Sequence, residues 1–205
     1  MLNKKPQTGF ALIEAMVAIL VMALGILGIL GVQMRTLSDT QTGVRRAQAI
    51  RAIEDLSERM KVNPSALDNI NSYVSGWNAA ASPAACKATP CTASALAAAD
   101  IAQWKVSVKN SLPLSDANVF LVADEAAPDN HRQLGVMISW RENERSDGSA
   151  AENTAYRLPL VVSSGGANVT CPADRICHLQ YIQLTSRCSV YTMAGGATNQ
   201  FICPS

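Results

Sequence analysis

The chain has 205 residues, enough for one globular domain together with a membrane anchor. Its 17 lysines and arginines nearly balance its 16 acidic residues, which argues against a basic nucleic-acid-binding protein and against an acidic tail for a cationic partner. The six cysteines all follow residue 85, and an even number in a chain that begins with an apolar segment indicates disulfides in an oxidising compartment.

The first element in chain order is an apolar segment at residues 10–32, which follows Lys4 and Lys5. As a helix of about 23 residues it would extend roughly 34 Å, enough to cross the ~30 Å hydrocarbon core of a bilayer. The two lysines predict that the short N-terminus stays in the cytoplasm while the rest is exported. The segment is too long for an ordinary cleaved signal peptide, and no Ala-x-Ala site follows it.

Glu14 is the one charged residue inside this segment. A charge inside a spanning helix costs about 2.5–3.5 kcal/mol at the centre, less near an end, and usually marks function. Glu14 lies four residues after Phe10, about one helical turn. Cleavage between Gly9 and Phe10 would create an α-amino group one turn from the carboxylate. That cation could pair with Glu14 of its own chain or of a neighbouring chain.

The N-terminus resembles the class III signal of type IV pilins, in the stretch KKPQTG followed by FALIEAMVAILVMALGILGILGV. Gly9, Phe10 and Glu14 match the last residue of the leader and the first and fifth residues of the mature chain. The resemblance implies that a prepilin peptidase cleaves after Gly9, which makes residues 1–9 the leader, and methylates the Phe10 amine. It also implies a Gram-negative inner-membrane protein with a periplasmic head that becomes extracellular in the pilus.

Within the family, residues 1–64 resemble a minor pilin, a structural subunit that helps to prime pilus assembly and supports twitching motility and adhesion. The partners implied are the prepilin peptidase, other minor pilins, the major pilin and the inner-membrane assembly platform. Two alternatives stay open: a minor pseudopilin of type II secretion, and an adhesin or receptor head at the pilus tip. The sequence contains no convincing catalytic constellation, so we expect no enzyme, no cofactor, no metal and no nucleic-acid partner.

The helix is predicted to continue beyond the membrane until Asn63-Pro64, because the residue before proline avoids the α region. Residues 33–63 would form an amphipathic half that packs under the C-terminal head. Its predicted apolar stripe recurs at nearly helical spacing: Val44, Ala47, Ile50, Ile53, Leu56 and Met60.

Three glycines interrupt the membrane half of this helix: Gly25, Gly28 and Gly31. Each costs up to about 1 kcal/mol of helix stability relative to alanine. One interpretation is close packing between helices, which membrane helices achieve with small residues. The other is helix flexibility, in a segment able to stretch or unwind on moving from lipid into a filament.

The remaining chain predicts an α+β fold. Residues 64–117 are interpreted as a loop region with a helix near 95–112. Residues 118–187 are interpreted as an antiparallel β-sheet, with strands at 119–123, 134–140, 156–163 and 178–185, and Pro159 marks the third strand as an edge or interrupted strand. Asp147-Gly148 predicts a turn between the second and third strands. A long N-terminal helix under a C-terminal antiparallel sheet is also the architecture that the pilin resemblance implies.

The short separation of Cys86 and Cys91 favours a disulfide between them. The pilin resemblance implies a second disulfide, Cys188–Cys203, which would bound a C-terminal loop at residues 188–205. Cys171–Cys177 is then left by elimination, and the rival pairing of Cys177 with Cys188 and of Cys171 with Cys203 stays open. A zinc site at Cys171, Cys177 and His178 is less favoured, because its spacing fits no common zinc motif.

Overall fold

The computed structural model describes residues 10–79, 86, 91–123, 131–142, 160–164, 167–184, 189–191 and 200–202. The chain divides into two compact units, Met1–Val44 and Arg45–Ser205. We call the second unit the head. The first helix, α1, comprises Phe10–Val62 and so contributes residues to both units.

In the first unit, α1 is a helix whose apolar side chains face outwards. The exposed fractions of its large apolar side chains between residues 12 and 37 range from 49% at Leu30 to 74% at Met34. In the described part of the chain, α1 is the one helix long and apolar enough to cross a membrane. This confirms the expectation of a membrane anchor near the N-terminus.

In the head, α1 buries a stripe that differs from the predicted one. The fully buried side chains are Ala49, Ile53, Leu56 and Met60. Val44 is half exposed, and Ala47 and Ile50 are only partly buried, so the predicted stripe was wrong in its first half. The first half of the predicted stripe advances in steps of three residues, and each such step lags behind a full helical turn by about 60°. The buried residues are spaced by four, three and four, which keeps them on one face of the helix.

The second helix, α2, comprises Ala93–Ser111 and packs in the same core. It starts two residues before the predicted position because Thr92 caps it: the Thr92 side chain accepts a hydrogen bond from the Ala95 N–H. It ends just before Leu112-Pro113, since the residue before proline disfavours the helical conformation. Between α1 and α2 lies a short 3-10 helix, Ile70–Tyr73, which the sequence interpretation missed.

The central sheet of the head is antiparallel and has three strands in the order β1-β2-β5: Asp116–Leu121, Gln133–Trp140 and Ile176–Gln183. In the register, Val119 lies opposite Val136, and Ile138 lies opposite His178. The strand predicted at 119–123 begins three residues earlier and the one at 178–185 two residues earlier. In both cases pairing with β2 starts upstream of the most apolar residues.

A second, two-stranded antiparallel pair packs on this sheet: β3, Val161–Ser164, with β4, Ala167–Thr170. The sequence interpretation missed β4 and expected a turn from the second strand into the third. In the structure β2 instead pairs with β1 and β5. Residues 156–159 with Pro159, and the turn at Asp147-Gly148, lie outside the described residues. A third antiparallel pair joins β6, Ser189–Tyr191, to β7, Gln200–Ile202.

Both faces of the three-stranded sheet are covered. One face packs against α1 and α2 through Val119, Leu134, Val136, Ile138 and Trp140. The other face packs against β3, β4 and the loop after the 3-10 helix, through Phe120, Met137, Trp77, Val162, Val169 and Leu179. Central strands covered on both faces carry nearly continuous apolar runs, which explains the sequence LGVMISW in β2.

Gly135 in β2 lies opposite Phe120 in β1, and a Cβ atom at Gly135 would overlap the Phe120 ring. We therefore expect Gly135→Ala to lower the free energy of unfolding of the head by about 1–3 kcal/mol, as overpacked cores do. Urea unfolding of the full chain in detergent, followed by tryptophan fluorescence, measures the change. Adding Phe120→Leu should restore part of the loss. Unchanged stability of Gly135→Ala would contradict the proposed overlap.

Candidate functional site

The first candidate site is the N-terminal turn of α1. The described part of α1 starts at Phe10, the residue that the class III signal would make the first of the mature chain, and Gly9 lies outside the described residues. Glu14 lies in the helix with its side chain exposed, among apolar neighbours. Within the part of the chain that the structure describes, no ion pair involves Glu14. Its carboxylate therefore requires a cation or a proton from elsewhere once lipid surrounds this segment.

The glycines of the membrane half make no close approach within this chain. A Cβ atom added at Gly25, Gly28 or Gly31 would meet open space. No contact inside the described chain therefore requires glycine at these positions. Both predicted roles, close packing against a neighbouring helix and flexibility of the backbone, remain predictions.

The second candidate site is the junction where α1 ends in the head, and Asn63 is its centre. Asn63 is 2% exposed, and its side-chain amide donates to the Tyr73 hydroxyl at 3.0 Å and to the Ala93 carbonyl at 3.0 Å. Its side-chain oxygen accepts a hydrogen bond from the Ser65 N–H at 3.2 Å. Burial raises the pKa of Tyr73, so that hydroxyl stays protonated. Asn63 thus ties the end of α1 to the following loop and to the start of α2.

Asn63→Ala is expected to lower the free energy of unfolding of the head by about 2–3 kcal/mol, because it leaves buried polar groups without partners. Thermal unfolding of the full chain in detergent, monitored by near-UV circular dichroism, measures the effect. Asn71→Ala, in the same region but at an exposed position, serves as the matched control and should change stability by less than about 0.5 kcal/mol. Equal effects of the two substitutions would contradict this role of Asn63.

A buried ion pair holds the loop that follows the 3-10 helix. The side chains of Lys105 in α2 and Asp116 in β1 are almost fully buried, and Lys105 Nζ lies 3.6 Å from Asp116 Oδ1. The Lys105 ammonium also donates to the Gly76 carbonyl at 2.6 Å and to Ser75 Oγ at 3.3 Å. Burial lowers the pKa of Lys105, and the charge of Asp116 opposes that shift. Lys105 therefore connects α2, β1 and the loop at residues 75–76.

Asp116 completes this arrangement from the other side. Its carboxylate accepts hydrogen bonds from the Asn78 N–H at 2.6 Å and from its neighbour Ala117 at 2.8 Å. Asn78 has a left-handed backbone, with φ of 55°, a conformation in which asparagine is enriched. Ser75 adds two backbone hydrogen bonds with Val119, each of 2.9 Å. The loop is thus fixed along the outer edge of β1.

A third cluster joins α1 to the end of β2. Glu142 is 9% exposed and accepts a hydrogen bond from the Trp140 indole N–H at 2.6 Å. The Arg45 guanidinium lies 3.6 Å from the other oxygen of Glu142 and donates to the Arg141 carbonyl at 3.4 Å. A fourth contact joins the two helices, where the Trp104 indole N–H donates to the Ala52 carbonyl at 2.6 Å. These polar contacts fix α1 of the head against α2 and the sheet.

Sequence interpretation missed these polar contacts of the head. It recognised Asn63 only as the end of a helix, and it assigned no role to Lys105, Asp116 or Glu142. One signal was present for Lys105, which directly follows Trp104 on the apolar side of α2. The buried residues of α2 include both Trp104 and Lys105.

Among the described residues, the head contains two disulfides. Cys86 is bonded to Cys91, with 5.5 Å between their Cα atoms, and Cys171 is bonded to Cys177, with 6.0 Å. The second bond joins the residue after β4 to β5 and excludes the rival pairing considered from the sequence.

Among the described residues, no group of histidine, cysteine and acidic side chains could hold a metal ion. Burial and the positive charge of Arg46 lower the pKa of His178.

Cys188 and Cys203 lie outside the described residues, so their bond stays a prediction. The register of the last strand pair supports it, because Ser189 lies opposite Ile202 and the two cysteines flank these residues in the sequence. We expect non-reducing peptide mapping to recover a peptide that joins Cys188 to Cys203. A peptide that joins Cys188 to any other cysteine would refute the bounded C-terminal loop.

Two family models match the chain, one over the N-terminal segment and one over the residues that follow it. The model of the prokaryotic N-terminal methylation motif matches residues 4–30, and the model of type IV pilin Tt1218 (Tt1218-like) matches residues 31–102. No curated protein and no solved structure gives a significant match. The methylation motif implies processing by a prepilin peptidase and assembly with other pilins, and together with the apolar helix it fits anchoring in the inner membrane.

The second family match extends from the anchor through the end of α1, across the Asn63 junction and into α2. It therefore includes the part of α1 that packs in the head, which a signal sequence alone would not need. With the N-terminal motif directly before it and an antiparallel sheet behind it, the chain is similar to type IV pilins, which are structural subunits and not enzymes.

Proposed function

We propose that the chain is a minor pilin, a subunit that helps to prime assembly of a type IV pilus and thereby supports twitching motility and adhesion. The observation that carries this proposal is the resemblance of residues 1–64 to the minor pilin called type IV pilus modification protein PilV. In both, the anchor leads into a polar helix, here MRTLSDTQTGVRRAQAIRAIEDLSERMKVNP, that ends before Asn-Pro. The partners proposed are other minor pilins, the major pilin and the inner-membrane assembly platform.

The mechanism that we propose begins with the leader. The peptidase removes residues 1–9 by cutting after Gly9 and methylates the new α-amino group of Phe10. The positive charge of that amine pairs with Glu14 of a neighbouring subunit, where lipid and packed helices exclude water. Residues 10–32 exchange lipid for the filament core, and residues 33–63 carry the head.

Mass spectrometry of the protein from its native membrane tests the processing step. We expect a mature chain that starts at Phe10 and carries one additional methyl group. Gly9→Val should block cleavage, because a side chain at the junction obstructs the approach of the peptidase to the backbone. An intact Met1 in the native protein, or a start at another residue, would refute the assignment of Gly9 and Phe10.

Deletion of the gene distinguishes the proposed role from its alternatives. A priming minor pilin predicts loss of surface pili, restored by the wild-type gene, and far fewer copies than the major pilin in sheared pili. A type II pseudopilin predicts normal pili and a loss of protein secretion. An adhesin or receptor head at the tip predicts normal numbers of pili that no longer bind their target. Normal pili after deletion would therefore contradict the priming role.

A further inference from the structure

Residues 36–43, with the sequence TLSDTQTG, lie in α1 between the anchor and the residues that pack in the head. This stretch contains three threonines, a serine, an aspartate and a glycine, all of which favour a helix less than alanine does. Serine, threonine and aspartate also offer the backbone alternative hydrogen bonds outside a helix. The stretch is helical, yet its composition opposes that conformation.

The hydroxyl groups of three threonines in this stretch each donate a hydrogen bond to a carbonyl about one turn earlier in α1. Thr36 Oγ1 lies 3.0 Å from the Val32 carbonyl, Thr40 Oγ1 lies 2.7 Å from the Thr36 carbonyl, and Thr42 Oγ1 lies 3.3 Å from the Ser38 carbonyl. Threonines that bond back in this way weaken and bend helices. The threonine hydroxyls also keep these carbonyls hydrogen-bonded when the backbone N–H groups that bond to them in the helix move away.

Neighbouring parts of α1 are held more firmly. Ala49, Ile53, Leu56 and Met60 are buried in the core of the head. The glycines at 25–31 lie in the membrane half, where no water can replace a broken backbone hydrogen bond. Residues 36–43 follow the apolar segment and are exposed except for the partly buried Thr42, so water can replace their backbone bonds. The division between the two compact units, at Val44 and Arg45, directly follows this stretch.

We propose that residues 36–43 are a hinge segment, at which α1 opens reversibly in water while the anchor and the helix of the head stay intact. Opening here breaks exposed backbone hydrogen bonds of α1 and none of the contacts in the core of the head. The hinge is a property of the chain itself and does not depend on whether the subunit serves a pilus or a secretion machine. It is distinct from any flexibility at Gly25, Gly28 and Gly31.

Hydrogen–deuterium exchange of the full chain in detergent micelles tests the proposal. The amides of residues 38–45 are expected to exchange at least about 100-fold faster than those of residues 53–60, which open only with the core. Equal protection of the two stretches would overturn the hinge. The amides of residues 16–30 provide the comparison inside the apolar segment and are expected to be well protected.

A variant with better helix formers sharpens the test. The combined change Thr36→Gln, Thr40→Gln, Thr42→Gln and Gly43→Ala keeps the segment polar, so the end of the apolar run does not move. It should slow exchange at residues 38–45 by about tenfold or more. The control variant Gly25→Ala, Gly28→Ala and Gly31→Ala should leave that exchange unchanged. No slowing in the first variant, or equal slowing in the control, would contradict a hinge at residues 36–43.

Discussion

Glu14→Ala is expected to leave the subunit in the inner membrane and to reduce its recovery in sheared pili at least about tenfold, the change that corresponds to about 1.4 kcal/mol. Removing the charge favours the lipid-embedded state, because the carboxylate no longer has to be buried in an apolar segment. The same removal leaves the Phe10 amine of a neighbouring subunit without its proposed partner. The loss therefore falls on assembly and not on insertion.

Immunoblots of membranes and of sheared pili from one culture measure the two effects separately. Glu14→Gln, which keeps the size of the side chain and removes its charge, should behave like Glu14→Ala. Glu58→Ala, at an exposed position of α1 in the head, is the control and should enter pili normally. Wild-type amounts of Glu14→Ala in sheared pili would show that pairing with the carboxylate does not recruit this subunit.

The second large effect is expected at the buried ion pair. Lys105→Met keeps most of the side-chain volume but leaves the Asp116 carboxylate buried without its cation. We expect the free energy of unfolding of the head to fall by about 3–5 kcal/mol, the usual consequence of removing one partner of such a pair. Urea unfolding of the full chain in detergent, followed by tryptophan fluorescence, measures the loss.

Two further variants separate the charge from the packing. Lys105→Met combined with Asp116→Asn removes both charges and should be more stable than Lys105→Met alone. Lys61→Met removes a lysine whose ion pair with Glu58 is exposed, and it should change stability by less than about 1 kcal/mol. If Lys105→Met were as mild as Lys61→Met, the ion pair would not be what fixes the loop at residues 75–78.

The N-terminal motif could be recognised from the sequence because its information is local. Gly9, Phe10 and Glu14 lie within six residues. The anchor could also be predicted from the sequence, since one long apolar run is sufficient for a spanning helix. The strand at β2 was also predicted to within one residue, because its apolar run is bounded by polar residues on both sides.

The contacts of the head could not be predicted in the same way. Burial of Lys105 depends on where Asp116 and the loop at Gly76 meet it, and these residues are distant in sequence. β4, and with it the pairing of β3 with β4, was missed because β4 has only four residues, too few for an alternating pattern to be distinguished from a loop. Gly165-Gly166 between them gave a signal, since two glycines between short apolar runs favour a hairpin.

The packing of α1 in the head has a consequence for how the helix responds to a mechanical force. A pull along the helix axis would load the contacts of Ala49, Ile53, Leu56 and Met60 in parallel, as a shear across the core. Such a load has to break many contacts together, whereas peeling from one end breaks them in succession. The Trp104 bond to Ala52 and the Arg45 pair with Glu142 cross the same shear plane. The head therefore resists a pull on α1 along its axis more strongly than a force that peels the helix away from one end.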